Sequence, residues 1–128
     1  EDTDRNVARN AWKTKKVNGV VRWRYYDSDG RRVSNAWKQL LYEGTMFWYH
    51  FGTDGYMDTG WFKDVDGNWY YLNPVSDGTR GQMLTGWHQI DSIWYYFNKL
   101  TGGPQGSLVK NATTPDGYKV GADGAWLQ

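Results

Sequence analysis

The sequence predicts an all-β fold: a solenoid of stacked β-hairpins, with about four repeats and a short C-terminal capping hairpin. Three observations predict it. First, Trp12, Trp37, Trp61 and Trp87 recur at intervals of 25, 24 and 26 residues, and a second series, Trp23, Trp48, Trp69 and Trp94, follows them by 11, 11, 8 and 7. Self-similarity at such a period marks a repeat architecture. Second, each Trp pair brackets a turn signal: Asn18-Gly19, Glu43-Gly44, Asp66-Gly67 or the weaker Asp91-Ser92. Asn-Gly and Asp-Gly tolerate the positive φ angles of tight hairpins. Third, sixteen Gly and three Pro in 128 residues favour many turns over long helices.

The elements follow in order. Residues 1–10 read as a polar lead-in and 11–128 as the repeat domain, with copies near 11–33, 34–57, 58–83 and 84–108 and a cap over 109–128. In the first copy, a two-residue loop at Asn18-Gly19 sets Val17 opposite Val20, Thr14 opposite Trp23 and Trp12 opposite Tyr25. Side chains alternate along a strand, so Trp12, Trp23 and Tyr25 share one face. The same reasoning sets Trp37 opposite His50 with Trp48 beside them, and Trp87 opposite Tyr96 with Trp94 beside them. In the third copy a two-residue loop would send Trp61 and Trp69 to opposite faces. A three-residue loop, Val65-Asp66-Gly67 with Gly67 left-handed, restores the pattern and places Trp61 opposite Tyr71. The opposite face carries Tyr26, Phe47, Tyr49, Phe51, Tyr70, Leu72, Ile93, Tyr95 and Phe97. Both faces are apolar, and an isolated hairpin is marginal in water, so successive copies must cover one another. Gly30, Gly55 and the Gly78–Gly81 stretch mark the joints. The tail from Thr114 to Trp126 reads as the closing hairpin.

Composition supports a core made of rings. Nine Trp, ten Tyr and four Phe stand against eighteen Val, Leu and Ile, and Trp and Tyr each bury a large area. The net charge of +1 removes the disordered reading that few aliphatics would otherwise suggest. Basic and acidic residues look interspersed, with no footprint for nucleic acid or an anionic membrane. No apolar run approaches the ~18 to 20 residues of a membrane span. With no Cys there is neither a disulfide framework nor a thiolate metal site. The chain opens on Glu1-Asp2-Thr3 with no Met and no apolar leader, and reads as a mature or excised segment.

No catalytic residues and no metal ligands are expected. The stretches Asp27-Ser28-Asp29-Gly30 and Asp64-Val65-Asp66-Gly67-Asn68 faintly resemble calcium loops but lack a Glu at the needed spacing, so they read as turns. His50 and His88 lie on separate copies. Asn111-Ala112-Thr113 fits a glycosylation acceptor, a pattern too short to carry weight. There is no opposed acid pair, nucleophile or phosphate loop, and no cofactor is implied.

The stretch Thr59-Gly60-Trp61 … Trp69-Tyr70-Tyr71-Leu72 … Gly81-Gln82-Met83-Leu84-Thr85-Gly86-Trp87 … Trp94-Tyr95-Tyr96-Phe97 resembles the cell-wall-binding repeats of Gram-positive surface proteins, the choline-binding modules. The likeness covers roughly residues 10–108. It implies a hairpin solenoid that attaches its parent protein, outside the cell, to choline on teichoic acids. It also leaves room for a homodimer through a solenoid end. Related repeats bind glucan or form the receptor-binding arrays of clostridial toxins, so the alternative is a module of a secreted enzyme, adhesin or toxin that binds glucan or a host glycan, with Gln39, Lys63, His88 and Gln89 as hydrogen-bonding neighbours. A structural spacer with every groove closed by packing is a second alternative.

A quaternary ammonium cannot donate a hydrogen bond, so it must be held by cation–π attraction and burial of its methyl groups, at ~0.5 to 2 kcal/mol per ring. One hairpin offers two Trp on one face, and the first Trp of the next copy is expected to close the gap. The expected ligand-binding sets are therefore Trp61, Trp69 and Trp87, with Tyr71 and Met83; then Trp37, Trp48 and Trp61; then Trp12, Trp23 and Trp37. A fourth, from Trp87, Trp94 and Tyr96, needs Tyr118 or Trp126 to replace a missing Trp. The Trp61 set ranks first. The Trp12 set ranks last, because Arg22, Arg24, Arg31 and Arg32 surround it.

Overall fold

The computed structural model describes residues 8–101 and 104–128. Most of the expected lead-in, and positions 102 and 103 of the fourth copy, lie outside the described residues. Ten strands form five two-stranded antiparallel sheets, with no helix among the described residues. They are β1 Ala11–Val17, β2 Val20–Tyr26, β3 Ala36–Tyr42, β4 Thr45–Phe51, β5 Gly60–Lys63, β6 Trp69–Leu72, β7 Gly86–Ile90, β8 Ile93–Phe97, β9 Ala112–Thr113 and β10 Lys119–Val120. The chain divides into two compact units at Asp58/Thr59. Unit 1 holds the first two hairpins; unit 2 holds the next two and the cap.

Every expected register is present. Trp12 pairs with Tyr25 and Thr14 with Trp23. Trp37 pairs with His50, Trp61 with Tyr71 and Trp87 with Tyr96. The loops show why. Asn18-Gly19, Glu43-Gly44 and Asp91-Ser92 all have positive φ at both positions, the two-residue geometry that matches strand twist. Asp91-Ser92 achieves it without glycine, at φ of 50° and 71°. In the third hairpin the Asp64 amide donates to the Asn68 carbonyl (3.0 Å) and the Gly67 amide to the Asp64 carbonyl (3.0 Å), which closes the three-residue loop. The cap repeats this around Pro115-Asp116-Gly117, where the Thr114 amide donates to the Tyr118 carbonyl (2.7 Å).

Each hairpin is followed by a tight loop and one further bridging residue. Arg32, Met57, Met83, Leu108 and Trp126 bridge back to Tyr26, Phe51, Leu72, Phe97 and Val120. Three of these bridging residues also tie hairpins together. The Met57 amide donates to the Trp23 carbonyl (2.7 Å), Leu108 to Trp69 (2.7 Å) and Trp126 to Trp94 (2.9 Å). The main chain thus links each of those tryptophans to the repeat that follows it. The cores are ring-rich. Tyr25, Tyr49, Phe51 and Met57 form the buried cluster of unit 1, and Ile90, Phe97 and Leu108 that of unit 2, with Trp69, Tyr71 and Tyr95 packed against it.

The aspartates read as turn formers act as such. Asp27 Oδ1 accepts the amides of Asp29 (2.9 Å) and Arg31 (3.1 Å). Asp66 accepts the Asn68 amide (2.9 Å), its side-chain nitrogen (3.0 Å) and the Tyr70 hydroxyl (2.9 Å). Bonds from the Asn68 backbone and from these side chains hold the Asp66 carboxyl below its ordinary value. Burial, with Asp66 beside it, pushes the Tyr70 hydroxyl up.

The even spread of charge does not survive the register. The strands β1 and β2 carry Lys13, Lys15, Lys16, Arg22 and Arg24 with no acid between residues 11 and 26. Lys13 pairs directly with Arg24 and Lys15 with Arg22, like charges opposed on one face. That face, aromatic in the second hairpin, is cationic in the first. Arg22 and Arg24 both lay their guanidinium groups over the Tyr56 ring, at 4.6 and 4.0 Å from its centroid.

Candidate functional site

Unit 2 holds two open ring-walled clefts, each of about 390 Å³, within the ~300 to 1,000 Å³ of small-ligand sites. The first is lined by Trp61, Trp69, Tyr95, Leu108, Lys110 and Asp123. Trp61 and Trp69 stand nearly perpendicular, ring centroids 6.2 Å apart at 83°. Behind them Trp61 rests edge-on against Tyr71 (5.1 Å) and Tyr95 (5.0 Å), and tilted on Phe97 (5.8 Å). The second is lined by Trp87, Trp94, Asp116, Tyr118 and Trp126. Tyr118 lies edge-on to both Trp87 (5.9 Å) and Trp126 (6.0 Å). These rings are not sealed by packing: Trp61 is 38% exposed, Trp94 39% and Tyr118 49%.

The expected rule that the next copy's first Trp closes each cleft is corrected by these contacts. Trp87 does not line the Trp61 cleft; it lines the second one. The reason is strand alternation. Trp87 and Tyr96 lie on the β7–β8 face turned to the cap, whereas Tyr95 lies on the face turned to β5–β6, so Tyr95 closes the first cleft. Trp12 shows the same arrangement in unit 1. It stands 5.9 Å from Trp23 at 85°, and Tyr49 (5.3 Å) and Phe51 (5.7 Å) occupy the place expected of Trp37. Tyr71 and Met83 are also not on the first cleft's wall. Tyr71 backs Trp61 and stacks on Phe97 at 6.4 Å. Met83 bridges Leu72 and packs where a side chain at Gly106 would have to go. Tyr96 is buried behind Trp87 at 5.2 Å.

The remaining expected residues stand as follows. Trp37 and Trp48 belong to unit 1, and Trp61 of the same expected set to unit 2. Trp37 meets the His50 ring edge-on at 4.9 Å, where other copies use Tyr25, Tyr71 or Tyr96. His50 is buried, and its Nδ1 lies 2.7 Å from Asp58 Oδ2. Trp48, half-buried, pairs with Gln39. His88, one of the sugar partners considered, is bonded through Nε2 to the Thr85 carbonyl (2.9 Å).

Tyr118 and Trp126, offered as alternatives, both line the second cleft. The reading of residues alone missed Asp116, Lys110, Asp123, Leu108 and the lining role of Tyr95. The bridging position was the available signal: Trp126 occupies the same place after its hairpin as Leu108, Met83 and Met57 do after theirs. Asp116 is distinctive. Its Oδ2 accepts the Trp87 indole N–H (2.9 Å), and its Oδ1 accepts the Thr114 hydroxyl (2.5 Å). The Thr114 bond first, then the Trp87 bond, hold its carboxyl below the ordinary value, so it is charged at neutral pH.

Hairpins in series that leave paired tryptophans at the rim of open clefts define the class: an aromatic β-hairpin repeat module. Residues 43–80 match the choline-binding repeat and residues 85–99 the putative cell wall binding repeat. A choline binding domain of Streptococcus pneumoniae is 38% identical, over 75% of this chain and 100% of that domain, with a TM-score of 0.53. This chain belongs to the choline-binding repeat family, and its fold is the β-hairpin solenoid of that family. Choline binding protein F of Streptococcus pneumoniae, solved in the presence of a peptidoglycan analogue, is 34% identical over 90% of this chain, with a TM-score of 0.53. The chain spans only 39% of that protein's length. A multimodular pneumococcal cell wall endolysin from phage Cp-1, complexed with choline, is 29% identical over 94% of this chain and 31% of its own, with a TM-score of 0.52. No curated protein sequence matches the chain.

Proposed function

We propose that this module, itself non-catalytic, attaches the protein that carries it to the bacterial surface by holding choline groups of teichoic acid in the clefts of unit 2. The observation that carries this reading is the pair of clefts walled by part-exposed rings, Trp61 with Trp69 and Trp87 with Trp94. A core needs rings to be buried; these are left open. Perpendicular rings present π faces from two directions, which suits a rounded trimethylammonium group. Two or three such contacts reach the ~4 kcal/mol of a millimolar site. Several weak sites acting on one polymer then multiply through effective concentration. The endolysin relative complexed with choline supports the reading.

Titration calorimetry with choline is expected to show saturable binding in about the millimolar range, with quenching or shift of Trp fluorescence. No saturable change up to tens of millimolar, about tenfold beyond that range, would contradict the proposal.

A further inference from the structure

The two clefts have the same size and each carries both tryptophans of one hairpin, yet their electrostatic settings differ: one wall is charge-balanced and the other acidic. Among the described residues that line the second cleft, Asp116 alone is charged. Its carboxylate is fixed from both sides, by the Trp87 indole N–H and by the Thr114 hydroxyl. Thr114 is itself buried and accepts the Tyr118 amide (3.1 Å). The three-residue cap loop and these two bonds therefore fix the direction of an exposed carboxylate. A carboxylate hydrogen-bonded to an indole N–H also lends electron density to that ring, which strengthens its attraction for a cation. In the first cleft Lys110 stands on the wall with Asp123, so one cation opposes the ligand and offsets the one acid. Lys99 lies near enough to help hold Asp116 ionised but does not line the second cleft.

Resting on the reading of the clefts as choline sites, we infer that Asp116 is a specificity-determining residue: it makes the terminal cleft the tighter and more cation-selective of the two. This reverses the ranking expected from the Trp pattern, which put the Trp61 site first. The terminal cleft has four wall rings against three in the first, a difference that a neutral ligand of the same shape also feels; the difference in cation selectivity comes from charge.

The indole N–H signals of the nine tryptophans allow each cleft to be followed separately in a ¹H–¹⁵N NMR titration. Two probes are used: choline, and 3,3-dimethylbutan-1-ol, which has the same shape without the charge. In the unaltered chain, choline is expected to saturate Trp87 and Trp94 at lower concentration than Trp61 and Trp69. Asp116→Asn keeps an oxygen that accepts the Trp87 N–H but removes the charge. It should weaken choline at the terminal cleft by about two- to fivefold, leave the neutral alcohol unchanged, and leave the Trp61 cleft unchanged. Lys110→Gln should tighten choline at the Trp61 cleft by a similar factor. Raising salt from about 10 mM to about 0.5 M should reproduce the first effect without any substitution. An unchanged ratio of choline to alcohol affinity in Asp116→Asn would overturn the inference, as would equal loss of both ligands, which would make Asp116 a merely structural support of Trp87. Failure of choline to bind the unaltered chain at either cleft would instead overturn the proposed function.

Discussion

Phe97→Ala is expected to cost unit 2 about 3 to 5 kcal/mol, the usual range for removing a fully buried aromatic side chain. Phe97 has no exposed surface and lies in the buried cluster with Ile90 and Leu108. It is the ring on which three others converge: Trp61 at 5.8 Å, Tyr71 at 6.4 Å and His88 at 6.4 Å. Its backbone partners are Gly86 across the hairpin and Leu108 at the bridge, so no neighbouring side chain from those positions can rotate into the void except Leu108. Because Trp61 leans on it, the first cleft should lose its rear wall at the same time. Hydrogen exchange of the β7 and β8 amides measures the effect within unit 2. A loss below about 1 kcal/mol would mean that the hairpins are held by their backbone ladders and not by the ring core assigned here.

Trp94→Ala should behave in the opposite way, with binding falling far more than stability. Trp94 is 39% exposed and lines the terminal cleft, while its main-chain carbonyl, which the substitution leaves intact, receives the Trp126 amide. Loss of the side chain should therefore cost about 1 to 2 kcal/mol of stability, well short of the range for a buried Trp. Choline binding at that cleft should weaken by about tenfold, the value of one good cation–π contact. Trp87 would be a poorer test, because it also packs on Tyr96 and bonds Asp116. Calorimetry and thermal melting on the same sample separate the two effects. Unchanged choline affinity with a large drop in melting temperature would make Trp94 a packing residue.

The hairpins were legible in the sequence because their registers are set by loop residues that allow few conformations. Asn18-Gly19 and Glu43-Gly44 fix two-residue loops, and the three-residue loop at Val65-Asp66-Gly67 follows from keeping Trp61 and Trp69 on one face. Which rings share a face was therefore computable by counting residues. Which face meets which neighbour was not. Alternation gives two faces per hairpin but no direction of stacking, and that direction decides whether Trp87 or Tyr95 closes the Trp61 cleft. Asp116 was hidden for a different reason. In Pro115-Asp116-Gly117 it reads as turn chemistry, and it is a turn residue; its bond to Trp87, 29 positions away, exists only once the cap folds over the fourth hairpin. The arginines of the first copy were legible in the sequence, but a near-zero total over the chain could not show that Lys13 opposes Arg24 and makes one face cationic.

A crystal structure of the chain soaked with choline tests the central claim most directly. The account predicts a trimethylammonium group between Trp87, Trp94, Tyr118 and Trp126, beside Asp116, and a second, less occupied one between Trp61, Trp69 and Tyr95. Choline absent from both clefts at saturating concentration, or bound only where no paired tryptophans stand, would contradict it.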